Sequence, residues 1–327
     1  MLHEVVVSEE GARAERATPG DGLEWVRCGL CGGEESRLVV ATRERHLGTG
    51  EGFRVVQCLS CGLMYVNPRP VPSAMSTYYP KDYSVFEDRS LWTRPFARFL
   101  DRRRAGPLSR LLGGQGRALD VGCGRGELVA ALRRAGIEAE GIDPSWWAVQ
   151  GAVPGAVGHV RHGALETAPM DREAFDLLIF SHVLEHCHDP DKALSCAHRM
   201  LRPGGYLYVE VPNAASWEAQ LLAQYWGGWD VPRHCYHFSP DTLVRLLRQR
   251  GFTVLRVSFS IVPTMCAWGV INLMAGVGSS ARVRHILHRL RPFLKLALLP
   301  VSTVGAIMHK GGMMSAICKK GDVHPGA

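Results

Sequence analysis

Arg117-Ala-Leu-Asp-Val-Gly-Cys-Gly-Arg-Gly126 decides the fold. Its first five residues make an apolar run of strand length, and Leu128, Val129, Leu132 and Ala135 then recur at helical spacing. Strand, glycine turn and helix form the βα unit that aims helix N-terminal amides at a ligand. Glycine is required where a ligand hugs the backbone and leaves no room for a Cβ. The spacing is G-x-G-x-G, not the G-x-G-x-x-G of dinucleotide binders. Asp120 stands just before the first glycine, where a carboxylate repels a pyrophosphate and suits a ligand carrying an amino group.

Glu138-Ala-Glu-Gly-Ile-Asp143 reads as a second strand ending in an acid 23 residues after Asp120, where a Rossmann-type sheet sets a carboxylate over ribose hydroxyls. Ala174-Phe-Asp-Leu-Leu-Ile-Phe-Ser-His182 predicts a fourth strand, and Tyr206-Leu-Tyr-Val-Glu-Val-Pro-Asn213 a fifth after the turn Leu201-Arg-Pro-Gly-Gly205. Gly251 to Phe259 reads as a sixth strand and Gly312 to Lys320 as a seventh. Strands alternating with helical patterns predict an α/β protein with a parallel, doubly wound sheet.

Together ALDVGCGRGE, GIDPS, FDLLIFSHVLEHCHDP and LRPGGYLYVEVPN resemble the successive motifs of class I S-adenosylmethionine-dependent methyltransferases. The resemblance covers about residues 116 to 258 plus the final strand. It implies a Rossmann-like sheet whose last strand runs antiparallel. It also implies that Asp120, Gly122, Cys123, Gly124 and Gly126 cradle the methionine end of S-adenosylmethionine. Asp143 and Pro144 would lie at the ribose, His162 to Leu165 near adenine, and Ser181 and His182 at the end of the fourth strand. Ala164 stands where many relatives carry an acid. His186 would tie down the local turn. Trp226-Gly-Gly-Trp-Asp-Val-Pro-Arg-His-Cys-Tyr-His-Phe-Ser239 is similar to a subfamily that carries N-terminal cysteine knuckles and methylates sugars, polysaccharides or secondary metabolites.

Such knuckles are present. Cys28-Gly-Leu-Cys31 and Cys58-Leu-Ser-Cys61 are separated by 26 residues and each is followed by glycine. Zinc takes four thiolates in a tetrahedron, two from each tight turn, and a fully cysteine set leaves no open position, so the site reads as a structural staple. Short strands at Arg37–Ala41 and Phe53–Gln57 would complete a ribbon-like module. Tyr78, Tyr79 and Tyr83 either pack the following linker down or line a substrate mouth. The other six of the ten cysteines are scattered singly, as in a reduced intracellular protein. With no apolar leader at the N-terminus, the expected location is cytoplasmic.

The 327 residues therefore divide into a disordered tail (1–22), a zinc module (23–80), a helical linker (81–115), the catalytic core (116–258), an apolar and basic helical insertion (259–311), and a final strand with its tail (312–327). The net charge of +7 belongs to the C-terminal part. Between Asp241 and Asp322 there is no acidic residue, whereas twelve lysines and arginines fall there. Val257 to Ser280 is uncharged, and the next twelve residues put Val283, Ile286, Leu287 and Leu290 on one helical face with basic side chains opposite. That pattern fits a peripheral, in-plane membrane contact or a lid over the acceptor pocket. The apolar run reaches roughly 20 residues, nominally a bilayer's thickness, but strands on both sides belong to one sheet, which argues against a simple span.

Methyl transfer needs an in-line nucleophile and, for a hydroxyl or carbon acid, a base, for which histidine is suited near neutral pH. The candidate bases are His237 and His182, with His234 beside His237 as a wall of the acceptor site; His186 and His188 lie nearby in sequence. A metal site on His234 and His237 lacks a close carboxylate. The expected acceptor is a small molecule or glycan, including lipid-linked saccharides, methylated on oxygen or carbon. An RNA methyltransferase gripping nucleic acid through the zinc module is the competing reading. The zinc segment lacks the dense basic stripe that would require.

Overall fold

The computed structural model describes residues 22–79, 94–276 and 290–321. The expected N-terminal tail, Tyr83 and most of the basic amphipathic segment lie outside the described residues.

The N-terminal part begins with β1 (Leu23–Glu24), β2 (Ser36–Arg43), β3 (Gly52–Cys58), β4 (Met64–Val66) and β5 (Arg69–Pro70). After α1 (Arg94–Leu111) come β6 (Arg117–Val121), α2 (Glu127–Arg134), β7 (Glu138–Asp143), α3 (Trp146–Gln150), β8 (Val160–His162) and β9 (Phe175–Ser181). Next are α4 (Pro190–Met200), β10 (Leu201–Pro212), α5 (Trp217–Leu222), β11 (Tyr236–His237), α6 (Pro240–Gln249), β12 (Phe252–Ser260) and α7 (Thr264–Gly276). The chain closes with α8 (Leu290–Ala297), α9 (Leu299–Ile307) and β13 (Met313–Lys320).

Seven strands form the central sheet in the order β12-β13-β10-β9-β6-β7-β8. From β8 to β10 all neighbours are parallel, and β13 runs antiparallel between β10 and β12. β6 and β9 are near-continuous apolar runs because helices cover both faces of a parallel sheet. Leu177 and Ile179 face a cluster with Leu128, Val129 and Leu132 of α2, while Leu178 and Phe180 face Leu194 and Ala197 of α4. The mixed α/β architecture and its antiparallel last strand are those the motifs imply.

The second sheet holds a feature absent from the sequence reading. β2, β3 and β4 form an antiparallel meander, and the fourth strand is β11, in the order β11-β4-β3-β2. Tyr236 and His237 pair with Tyr65 and Met64, so a segment from the far side of the core completes the N-terminal sheet. Beside this seam, Arg233 is wholly buried. Its Nε and Nη2 donate to Asp230, Nη2 also donates to Glu44 Oε1 at 3.2 Å, and Nη1 reaches the Tyr78 carbonyl. Glu44 Oε1 accepts the His46 and Leu47 amides as well, both at 2.8 Å.

The insertion docks on α5. A Cβ on Gly269 of α7 would fall 2.5 Å from Leu222, and Ser302 of α9 lies 3.2 Å from the buried Glu218 carboxylate. The outer side is apolar, with Phe293 70% and Ile307 72% exposed. Among the described residues no single helix is long and apolar enough to cross a membrane, though α8 and α9, bent by 41°, pass that test of length and composition together.

Arg233→Ala removes one side of a buried ionic network and leaves two carboxylates uncompensated. It should cost about 3–5 kcal/mol in denaturant unfolding, with Arg233→Lys, which retains the charge, losing less. A loss below about 1 kcal/mol for the alanine variant would refute the assignment.

Candidate functional site

The carboxyl ends of β6, β7 and β9 converge on the glycine turn. Gly122, Gly124 and Gly126 have φ of +65°, +55° and +78°, a region that favours glycine. The amides of Gly122 and Cys123 donate to the Ile142 carbonyl at 2.8 and 3.2 Å, which ties the turn to the end of β7. A Cβ on Gly122 would meet Val183 at 2.6 Å, and one on Gly126 would meet Ala156 at 2.5 Å; beside Gly124 there is open space within 4 Å. Gly122 and Gly126 are therefore glycine for packing as well as backbone conformation, and Gly124 leaves an empty berth. The Cys123 side chain is buried and stands where a Cβ on Gly141 would fall, so only its backbone is placed for a ligand.

Asp143 is buried and bridges two turns. Its Oδ2 accepts the Gly124 amide and its Oδ1 the Ser145 amide, each at 2.8 Å. Burial raises its pKa, against the pull of those two amides. Asp120 lies one strand over with its carboxyl pushed up to about 7, chiefly by burial and further by Asp143 and Glu127, with Arg104 opposing. Two buried carboxyls thus face the loop, and an incoming cation would ionise Asp120.

Pro144 offers its carbonyl 3.1 Å from His162 Nε2, and the His162 ring stands edge-on to Trp146 at 5.5 Å. Leu165 is buried in the core cluster that also holds Ile142. Trp146, 52% exposed beside Asp143, supplies an aromatic face that the sequence reading missed. Its signal was the Pro-Ser-Trp-Trp that follows the acid ending β7.

At the end of β9, Ser181 Oγ donates to Glu210 Oε2 at 2.9 Å and accepts from Arg104 Nη2 at 2.6 Å. His182 has φ of +60°, a strained conformation for a residue with a Cβ. Its side chain is 41% exposed, with Nδ1 3.5 Å from Glu185 Oε1. Burial would lower its pKa, but the Glu185 carboxylate beside it, with Glu210, raises it. His237, by contrast, is buried in β11 against Trp229 (ring centroids 5.0 Å), its Nε2 unpartnered among the described residues. Burial holds its pKa well below the ordinary value.

His234 stands closer to His186 (4.6 Å between centroids) than to His237 (6.3 Å). Its Nδ1 lies 2.9 Å from the Gly228 carbonyl. His186 Nδ1 sits between Tyr79 Oη and the Arg233 carbonyl, and His188 Nε2 lies 3.0 Å from the Pro70 carbonyl. Tyr78 hydrogen-bonds Glu51, so both described tyrosines are engaged with the protein. A cleft of about 780 Å³ lined by Arg117, Arg133, Glu138 and Arg161 opens at the opposite, amino ends of β6 and β7, away from these groups.

The four cysteines converge as well. Cys28 Sγ lies 3.4 Å from Cys61 Sγ, and Cys31 Sγ 3.5 Å from Cys58 Sγ, close to the ~3.8 Å that 2.3 Å bonds in a tetrahedron imply. The amides of Leu30 and Cys31 reach the Cys28 sulfur, and those of Ser60 and Cys61 reach Cys58. Such amides steady thiolates around a cation.

A family model and sequence relatives agree on the class. A family model described as "Methyltransferase domain" matches residues 87–257. A ubiquinone biosynthesis O-methyltransferase of Ruegeria pomeroyi is 32% identical over 194 residues, covering 53% of this chain and 76% of that protein. One from Cereibacter sphaeroides is 27% identical over 233 residues, covering 61% and 93%. Among solved structures, the 1,6-didemethyltoxoflavin-N1-methyltransferase of Burkholderia thailandensis, bound to 1,6-didemethyltoxoflavin and S-adenosylhomocysteine, has a TM-score of 0.48 at 17% identity, covering 86% of this chain and 100% of that one.

The glycines separate packing from ligand room. Gly126→Ala should destabilise the fold by about 2–4 kcal/mol, combining a left-handed Cβ with overpacking. Gly124→Ala should cost only ~1–2 kcal/mol. Equal losses in chemical unfolding would refute the distinction.

Proposed function

This chain belongs to the methyltransferase-domain family and is an S-adenosylmethionine-dependent enzyme, and from that premise we propose that it methylates a hydroxyl of a small, partly apolar acceptor. The observation that carries the reading is the meeting, at the carboxyl ends of β6, β7 and β9, of the open glycine berth, two buried carboxyls and an exposed histidine. When bound, S-adenosylmethionine supplies an electrophilic methyl on a sulfonium. Asp120 and the turn around Gly124 would hold its methionine end, Asp143 its ribose, and Trp146 with His162 its adenine. His182 is placed to take the acceptor's proton at Nε2, while Glu185 faces Nδ1 and orients the ring. His237 and His234, buried as they are, would serve the acceptor site from behind its wall.

The relatives named for O-methylation in ubiquinone biosynthesis support oxygen as the target atom and an apolar acceptor. The exposed apolar side of α8 and α9, with Phe293, Leu296 and Ile307, supports a peripheral membrane contact through which such an acceptor arrives. A glycan is the other acceptor class to assay. The cysteine cluster is read as a structural zinc site, since its four sulfurs fit a tetrahedral ion and leave no ligand position for chemistry.

Because Asp120 titrates near 7 and is ionised by an ammonium group, S-adenosylmethionine should bind with release of a proton. Affinity should therefore tighten from pH 6 toward 7.5, before the ligand's own α-amino group begins to discharge near pH ~8. Asp120→Asn should bind more weakly and lose that slope; calorimetry finding the slope intact would overturn the contact.

The reaction itself is tested with labelled S-adenosylmethionine and a hydroxylated polyprenyl-quinol acceptor in anionic vesicles, with a soluble saccharide in parallel. Transfer to the quinol oxygen, reduced about 10²–10⁴-fold in kcat by His182→Ala with S-adenosylmethionine affinity kept, is the expected result. Transfer to the saccharide alone would overturn the acceptor class.

A further inference from the structure

We propose that Glu185, His186 and His234 form a second metal site, for a divalent transition ion of the zinc and cobalt type, separate from the four cysteines. The three side chains come from distant parts of the chain. Glu185 and His186 follow β9, whereas His234 lies in the loop leading to β11. Their ligand atoms all lie within 4.8 Å of one another.

Both rings are already set as metal ligands are. His234 Nδ1 lies 2.9 Å from the Gly228 carbonyl and His186 Nδ1 3.0 Å from the Arg233 carbonyl. A backbone carbonyl at Nδ1 favours the proton there and leaves Nε2 as the acceptor nitrogen, the tautomer a metal needs. Tyr79 Oη shares His186 Nδ1 at 2.9 Å, and Asp230 Oδ2 stands 3.8 Å from His234 Nε2. The third member is a buried carboxylate. Glu185 is 1% exposed, and neither oxygen has a hydrogen-bond partner among the described residues. His182 Nδ1 stands 3.5 Å from Oε1.

A buried carboxylate with only one histidine at 3.5 Å beside it is costly unless something positive completes it. Arg233, the nearby guanidinium, is committed to Glu44 and Asp230. Two imidazole nitrogens and one carboxylate oxygen are the protein ligands of many zinc sites that keep an open position, and this mixed set suits borderline ions better than magnesium or calcium. Bonds of 2.0–2.2 Å draw ligand atoms to roughly 3.3 Å apart, so small side-chain rotations close the site. Held that way, the ion clamps the loop carrying β11 onto the end of β9, one carboxylate away from His182.

The test is cobalt reconstitution of the chelator-stripped full-length protein, counting metal per chain and recording absorption. The wild type should take two equivalents. One should give the intense near-ultraviolet band of thiolate-bound cobalt, and the other should add only a weaker visible band. Glu185→Gln and His234→Gln should each lose the second equivalent, keep the thiolate band and keep the wild-type circular dichroism. Cys58→Ser should lose the thiolate band alone, so the cysteine site and this one fail separately. A wild type showing only thiolate-bound cobalt, or variants that retain both equivalents, would overturn the proposal. Should a variant misfold, the wild-type stoichiometry and spectrum decide by themselves.

Discussion

A guanidinium with no water around it has to be matched by anions, and Arg233 is matched by two. Glu44 comes from the N-terminal sheet and Asp230 from the loop after α5, so the charge can be satisfied only when both parts are in place. That requirement fixes the loop from Trp226 to His237 against the meander, lets Tyr236 and His237 extend it, and sets where His234 can stand. Such a network is strongly destabilising to break and modest in net gain. Its value here is specificity of docking, since an apolar seam of the same size would tolerate several registers.

The glycine turn obeys a similar logic on a smaller scale. Its first two amides are bound by the Ile142 carbonyl and the third by Asp143, so the loop is held open by its neighbour strand before any ligand arrives. Asp143 is thus a strut and a ligand group at once, with lone pairs beyond the two it gives to Gly124 and Ser145. Preorganisation of this kind lowers the cost of ordering the loop on binding. It also explains the packing against the turn after β9. Val183 occupies the side where a Cβ on Gly122 would stand, which brings His182 next to the loop.

Much of this was legible in residues that are neighbours in sequence. Asp120, the glycines and Asp143 could be read because a βα turn places them by local geometry, and the paired cysteines because each knuckle is four residues long. What escaped depends on contacts between distant segments. β11 is two residues long and has no periodicity to show. Glu185 and His186 meet His234 only after the loop folds back, so a histidine pair spaced three apart suggested 234 with 237 when the rings that approach are 186 and 234. Trp146 escaped for another reason, since an aromatic after an acid has no preferred face until the strand order is known. His237 could be taken for an exposed base because nothing in its neighbours announces that it lies inside a strand.

The place of β13 carries a consequence for how the protein comes into being. The strand inserts between β10 and β12, so β12 is an edge whose sole neighbour is made last. During synthesis, a chain made as far as α7, α8 and α9 but not residues 313–320 holds three apolar helices and a β12 whose partner strand is not yet made. The parallel half of the sheet can close meanwhile, because all its strands precede residue 213. The nascent protein therefore passes through a stage in which its cofactor-facing half is formed while its greasiest segment is still untethered, and surfaces that accept apolar helices meet it then in their most accessible form.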